Sequence, residues 1–170
     1  VHAGAGGLAW TAIQLAQRVG ALGATTAHGS DEERVRGYGA DEVIDYTKAD
    51  FVASLSDYDV VIDSIGGANL AKSLTVLKPN GLAISVVGPP DPQFAGQLGR
   101  PLLKPVMALL SRSVRARASR LGVRYSFFFM RANGTQLKTL ATLYDAGSLR
   151  PVLDRSFAFD DTVDAMAHVE

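Results

Sequence analysis

A doubly wound α/β fold, with a parallel sheet covered by helices on both faces, is the architecture this sequence predicts. Three observations carry that expectation. Short β-rich runs alternate with helical stretches almost from end to end, and some of those runs are apolar without interruption. A glycine cluster stands between the first run and the first helix. Switching between the two periods indicates β-α-β units. Continuous apolar residues such as Val60, Val61 and Ile62 indicate strands covered on both faces.

Taken in order, Val1, His2 and Ala3 are the expected end of a strand whose greater part lies upstream. "GLAWTAIQLAQRVG" spaces Leu8, Ile13, Leu15, Ala16 and Val19 at helical intervals and stops at Gly20. "LGATTA" is a strand of small residues. "SDEERVRGYG" starts the next helix, with Ser30 as its expected N-cap and acidic residues in its first turn. "EVIDY" and "YDVVIDSIGG" are further strands, followed by the helix "ANLAKSLTVL", the turn "KPNG" and the strand "LAISVVG" running into "PPDP". From Phe94 to Leu121 the strand signal disappears, which predicts a mostly helical insertion. "VRYSFFFMR" then supplies a strand, "GTQLKTLATLYDAG" an amphipathic helix ended by Gly147, and "LRPVLDRSFAFDD" an extended return before "TVDAMAHVE". No repeat or linker divides the chain, so residues 1–170 are expected to be one domain, cut at both ends.

With 170 residues, 47% of them hydrophobic and 20% charged, the chain sustains a core of its own. Seventeen basic residues balance seventeen acidic ones, so no global field draws it to nucleic acid or an anionic membrane, and neither is an expected partner. Cysteine is absent, which excludes disulfides, thiol nucleophiles and thiolate metal sites. With no sign of an oxidising compartment and no signal-peptide pattern, the expected location is the cytoplasm.

Gly4-Ala5-Gly6-Gly7-Leu8-Ala9 fits G-x-G-x-x-G/A. In that pattern the first glycine allows a tight turn, the second admits a pyrophosphate to the backbone, and the small third residue lets helix and strand pack closely. The following helix offers free N–H groups and the positive end of its dipole. The pattern alone also suits a glycine-rich turn with no ligand. Its place within a repeating β-α unit favours a dinucleotide-binding Rossmann fold, with strand order 3-2-1-4-5-6 and a truncated first strand. The second strand's tip reads Thr25, Thr26, Ala27, His28, Gly29, with no carboxylate for the ribose hydroxyls. That leans toward NADP(H), with NAD(H) still open. Asp31 and Glu32 close behind are either helix-start acids or ribose ligands. His28 is either a contact for a 2′-phosphate or a bystander.

Together, "AGAGGLAWTAIQLAQRVGA", "GYGADEVIDYT", "VVIDSIGG", "LKPNGLAISVVGPPDP" and "GSLRPVLDRSFAFDD" resemble the medium-chain dehydrogenase/reductase superfamily. The likeness is closest to its quinone-oxidoreductase, zeta-crystallin-like branch, often described as zinc-binding alcohol dehydrogenases. It implies a catalytic domain before the glycine turn and a returning segment after Glu170, so that this chain is the cofactor-binding domain, inactive alone. It further implies a parent that moves hydride from NADPH to a small-molecule substrate, a quinone or an activated alkene or carbonyl. By the same resemblance, Gly4, Gly6, Gly7 and Leu8 form the pyrophosphate loop. His28 stands where the family often has Ser, and Ser30 where it often has the Lys that contacts the 2′-phosphate. Arg34, about one helical turn beyond Ser30, is expected to replace that charge. Tyr46 matches a position beside the adenosine phosphate, or else packs at its strand end. Ile65 and Gly66, Val87 and Gly88, and Phe128 and Phe129 are implied to line the nicotinamide side, with burial in the core as the alternative for each phenylalanine.

No Ser/His/Asp or His/Glu spacing suggests a separate catalytic centre, and His2, His28 and His168 lie far apart in sequence. No catalytic residue and no metal is therefore assigned, since the nicotinamide supplies the chemistry of hydride transfer. A non-catalytic dinucleotide-binding sensor or structural module is the rival expectation. A zinc-dependent alcohol dehydrogenase is a further one, if the upstream domain carries ligands, and a homodimeric parent stays open. Arg112, Arg115, Arg117, Arg120 and Arg124, beside "LLKPVMALL", form either a solvated helix face or a contact or cleft cover.

Overall fold

The computed structural model describes residues 1–153 and 155–169, and the chain divides into two units, Val1–Ala132 and Asn133–Glu170. The first unit alternates helices and strands: α1 (Gly7–Arg18), β1 (Ala24–Ala27), α2 (Glu32–Gly37), β2 (Glu42–Asp45), β3 (Tyr58–Asp63), α3 (Gly67–Ser73) and β4 (Leu77–Ser85). The predicted insertion follows as α4 (Pro92–Gln97), α5 (Lys104–Leu110) and α6 (Arg112–Arg120), and β5 (Arg124–Phe127) completes the unit. The second unit holds α7 (Gly134–Asp145) and α8 (Thr162–Val169). Among its described residues, the stretch expected to return as an extended segment has no regular strand, and Asp154 lies outside the described residues.

All strand pairings are parallel, as expected: β1 with β2, and β3 with β4 with β5. The stub lies between these sheets. Val1 N donates to Ala24 O at 2.8 Å and Gly4 N to Thr26 O at 2.8 Å, while His2 N donates to Ile62 O at 3.1 Å. Local chemistry explains the helix ends. Ile13 and Ala9 turn α1 inward, Arg18 complements its dipole, and Gly20 leaves it at φ 75°. Asp91 caps α4 by accepting from Phe94 N at 3.1 Å, with Pro92 in the first turn.

The main core joins Val61 and Ala83 of the sheet to Leu70, Leu74, Val76, Phe51, Ala118 and Val123. A smaller one gathers Ile13, Ala27, Val35 and Ala40. Val60 departs from the expected two-sided burial. It is 49% exposed, because a groove of about 560 Å³, lined by Ala12, Ala16, Leu22, Asp59 and Ile62 among others, opens beside it.

Two local expectations are corrected. "KPNG" does not interrupt the strand, because Asn80 takes the left-handed conformation (φ 65°) and the partners shift from Tyr58↔Leu77 to Val60↔Leu82, so that β4 starts at Leu77. Ser30 is not an N-cap. A 3-10 turn over Gly29–Asp31 precedes α2, and its cap is His28, whose Nδ1 accepts from Ser30 N at 3.2 Å. The five arginines from Arg112 to Arg124 are exposed, and Arg124, at the start of β5, donates to Asn80 O at 3.1 Å.

His2 ties the stub to two elements. Its Nδ1 lies 3.1 Å from Thr26 Oγ1 and its Nε2 2.7 Å from Ser73 Oγ, with the ring edge-on to Phe51 at 4.7 Å. Burial lowers its pKa from 6.5 to about 4, and Asp63 opposes the shift. Folding therefore favours the neutral ring, and the unfolded chain binds the extra proton between these values. Stability is full above pH 6.5 and declines as pH falls toward about 4, by about 3 kcal/mol if the whole shift is expressed. Urea unfolding midpoints across this window check the expectation. His2→Gln should flatten the decline, and an unchanged slope in that variant would refute it.

Candidate cofactor-binding site

The glycine loop closes through Gly6 N donating to Ala3 O at 2.8 Å. The left-handed residue of this turn is Ala3 (φ 54°), whereas Gly4, Gly6 and Gly7 all avoid positive φ. Gly4 instead answers a packing need. A Cβ there would lie 2.8 Å from Thr25 Cγ2 and Oγ1 and 3.1 Å from Val35 Cγ1, and both neighbours are buried. Gly6, Gly7 and Leu8 are exposed, and a Cβ on Gly7 would meet nothing nearer than Trp10 Nε1 at 3.8 Å. Gly6 is the N-cap of α1 and has no side chain to accept from the first turn, which also lacks an acidic residue. The donors and positive dipole at this helix start thus suit an anion close to the backbone, and the loop fits a pyrophosphate.

The tips of β1 and β2 lie side by side, Ala27 opposite Asp45. Beyond them, His28 Nδ1 lies 2.8 Å from Ser30 Oγ, and the His28 and Tyr46 rings meet edge-on at 6.2 Å. Tyr46 is 62% exposed rather than packed away at its strand end. Arg34 Nη2 donates to Asp31 Oδ1 at 2.6 Å, so the two face each other. The expectation of a tip without a carboxylate needs correcting, because the neighbouring strand brings one. Asp45 Oδ2 would lie 2.5 Å from a Cβ on Gly29. Bonds from the Thr47 hydroxyl and N–H, with Lys48 beside it, lower its pKa to about 2. Only the register of β1 with β2 reveals this neighbour.

At the tips of β3 and β4, Asp63 is fully buried. Its Oδ1 accepts from Gly66 N at 3.0 Å and Ile65 N at 3.3 Å, and its Oδ2 from Ser85 Oγ at 2.6 Å. Ser85 Oγ in turn accepts from Gly88 N at 2.8 Å. One carboxylate thus fixes both loops that carry Ile65, Gly66, Val87 and Gly88. Gly66 is needed at φ 77°. Gly88 has no room for a Cβ, which would lie 2.6 Å from Tyr125 Oη. That hydroxyl donates to Pro89 O at 2.7 Å, and burial pushes its pKa well above the ordinary value, with Asp91 and Asp63 adding to it. Buried Asp91 accepts from Phe127 N at 2.8 Å.

Core burial does not account for Phe128 and Phe129. They are 54% and 55% exposed, while Phe127 is buried and meets Phe94 at 5.0 Å. Ile65 and Val87 are also half exposed, so apolar side chains rim the carboxyl ends of the strands. Asp63, Ser85 and Asp91 were missed in the sequence. The signal for Asp63 and Ser85 is a polar residue closing an apolar strand, in "VVID" and "LAIS", and that for Asp91 is an acidic residue before a proline at a helix start, in "PPDP". Among the described residues no three His, Cys, Asp or Glu side chains come together.

A glycine loop that leaves a helix start open, beside parallel strands that alternate with helices, has the chemistry to take a nucleotide cofactor. The chain belongs to the zinc-binding dehydrogenase family, whose profile matches residues 38–170. It is 32% identical over 173 residues to the mitochondrial NAD(P)H oxidoreductase RTN4IP1 of Danio rerio, covering 98% of this chain and 44% of that protein. It is 31% identical over 171 residues to the chloroplastic NADPH-dependent alkenal/one oxidoreductase of Arabidopsis thaliana, covering 98% of this chain and 36% of that one. Among solved structures, the quinone oxidoreductase from Coxiella burnetii superposes with a TM-score of 0.77 at 27% identity, over 99% of this chain and 47% of its own. The chain thus spans less than half the length of these relatives. They also overturn the cytoplasmic expectation, since one is named as mitochondrial and another as chloroplastic. A cysteine-free composition does not separate one reducing compartment from another.

Proposed function

We propose that this chain is the cofactor-binding domain of an NADPH-dependent oxidoreductase acting on a quinone or an activated alkene or carbonyl, the catalytic domain and the returning segment belonging to the longer protein. The observation that carries the proposal is the open start of α1, where Gly6 and Gly7 present bare backbone and no side chain caps the helix. The names of the Arabidopsis and Coxiella relatives support the substrate class. Counted with the stub as the first strand, the sheet has the order 3-2-1-4-5-6. Its support is the pair of backbone bonds from Val1 and Gly4 toward β1 and the one from His2 toward β3.

In this reading Gly4 packs the loop against β1, while the N–H groups of Gly6, Gly7 and Leu8 hold the pyrophosphate. His28, Ser30, Arg34 and Tyr46 receive the adenosine end. Ile65, Gly66, Val87, Gly88, Phe128 and Phe129 form an apolar seat that orients the nicotinamide and keeps water from it. When bound, the cofactor supplies the hydride. The chain's contribution is to bind, orient and dry the ring.

Following NADPH oxidation by the full-length parent against quinones and enones tests this. Turnover on either class supports the proposal, and binding without turnover across both would favour a non-catalytic sensor. A second expectation concerns Arg34. Arg34→Ala should weaken NADPH binding about tenfold, the worth of one charge-assisted phosphate contact, and leave NADH within about twofold. Fluorescence titration of both cofactors checks it, and an equal loss on the two, or none, would overturn a contact from Arg34 to the 2′-phosphate.

A further inference from the structure

We infer that Lys48 is a second cation for the 2′-phosphate and that its pairing with Asp45 sets the choice between NADP(H) and NAD(H). The inference rests on the proposed placement of the adenosine end at the tips of β1 and β2.

Lys48 stands two residues beyond Tyr46, and its Nζ lies 3.1 Å from Asp45 Oδ2. The same Nζ lies 3.5 Å from where a Cβ on Gly29 would be, so the amine has folded back over the tip of β1. The two partners differ in freedom. The Asp45 side chain is only 13% exposed, and Oδ1 is pinned by Thr47 Oγ1 at 2.6 Å and Thr47 N at 3.0 Å. The Lys48 side chain is 78% exposed and hinges on a flexible stem. Asp45 therefore holds its place while Lys48 swings.

The other cations near this tip stand on α2 and pair there, Arg34 being the first cation of the proposed site. Arg34 is bonded to Asp31, and Arg36 is bonded to Glu32 at 3.0 Å. A 2′-phosphate arriving beside Gly29 meets a fixed carboxylate, which repels it unless a positive charge moves between them. Lys48 is the group placed to do so, leaving one oxygen of Asp45 for the phosphate's oxygens. A cofactor with a free ribose finds the same carboxylate ready to accept from its hydroxyls. Selection thus depends on a carboxylate supplied by the adjacent strand rather than by the tip itself. Gly29 is required because a Cβ would strike that carboxylate.

Isothermal titration of the full-length parent with adenosine 2′,5′-bisphosphate and with AMP separates these roles without relying on turnover. Lys48→Met should weaken the bisphosphate about tenfold, leave AMP within about twofold, and lower the salt dependence of bisphosphate binding, whereas Lys48→Arg should restore the affinity. Asp45→Asn should tighten the bisphosphate and weaken AMP. If the parent prefers the bisphosphate but both Lys48→Met and Asp45→Asn retain that preference unchanged, the role of Lys48 is overturned while the placement of the adenosine end stands. If the parent binds neither probe, both fall.

Discussion

Replacing Asp63 with alanine is expected to cost about 3–5 kcal/mol of folding free energy, the largest effect of any single substitution considered for this chain. The residue is fully buried at the end of β3 and accepts three hydrogen bonds, from Ile65 N, Gly66 N and Ser85 Oγ. Alanine leaves those donors facing a dry space, and each unpaired donor costs about 1–3 kcal/mol. The loops on either side, which carry Ile65 and Val87, lose their shared anchor. Asp63→Asn keeps the shape and one accepting oxygen, so its loss should be about half as large. Urea unfolding of both variants measures the difference. Equal costs for the two would mean that neither the retained volume nor the one remaining oxygen of asparagine helps, and would overturn the expected difference.

Gly4→Ala is expected to destabilise by about 1–3 kcal/mol and to weaken dinucleotide binding more than its stability cost alone implies. The added methyl would meet Thr25 and Val35, which are 1% and 0% exposed and have nowhere to go. Relief comes from moving the loop, and the loop carries the N–H groups at the start of α1. Gly7→Ala meets only Trp10 Nε1 at 3.8 Å and should fold as well as the parent while still weakening the cofactor. Thermal unfolding alongside cofactor titration compares them. A Gly4→Ala protein with unchanged loop function would refute the packing role.

The alternation of elements was legible in the sequence because its signals are local. Gly20 and Gly147 end helices that begin a few turns earlier, and both take positive φ there. The parts of the site that escaped depend on which residues stand opposite across strands. Asp63 pairs with Ser85, and Ala27 with Asp45, in registers that no short stretch of sequence encodes. Three consecutive phenylalanines show the same limit. Phe127 turns inward as the last residue of β5, and only after the strand has ended are Phe128 and Phe129 released outward. Gly4 was recognised as part of the loop, yet its physical reason lay in Thr25 and Val35, far along the chain.

The stub from Val1 to Gly4 acts as a gauge. In the proposed pose the adenosine end rests on one sheet and the nicotinamide on the other, while the stub's backbone bonds and the two side-chain bonds of His2 set one sheet against the other. A dinucleotide has a fixed span. Slippage of the stub by one residue would shift the sheets by about 3.3 Å, several times the roughly 0.5 Å within which a reacting group must be held. The accuracy with which the ring is aimed is thus decided by a few residues held between the two sheets that touch neither end of the cofactor.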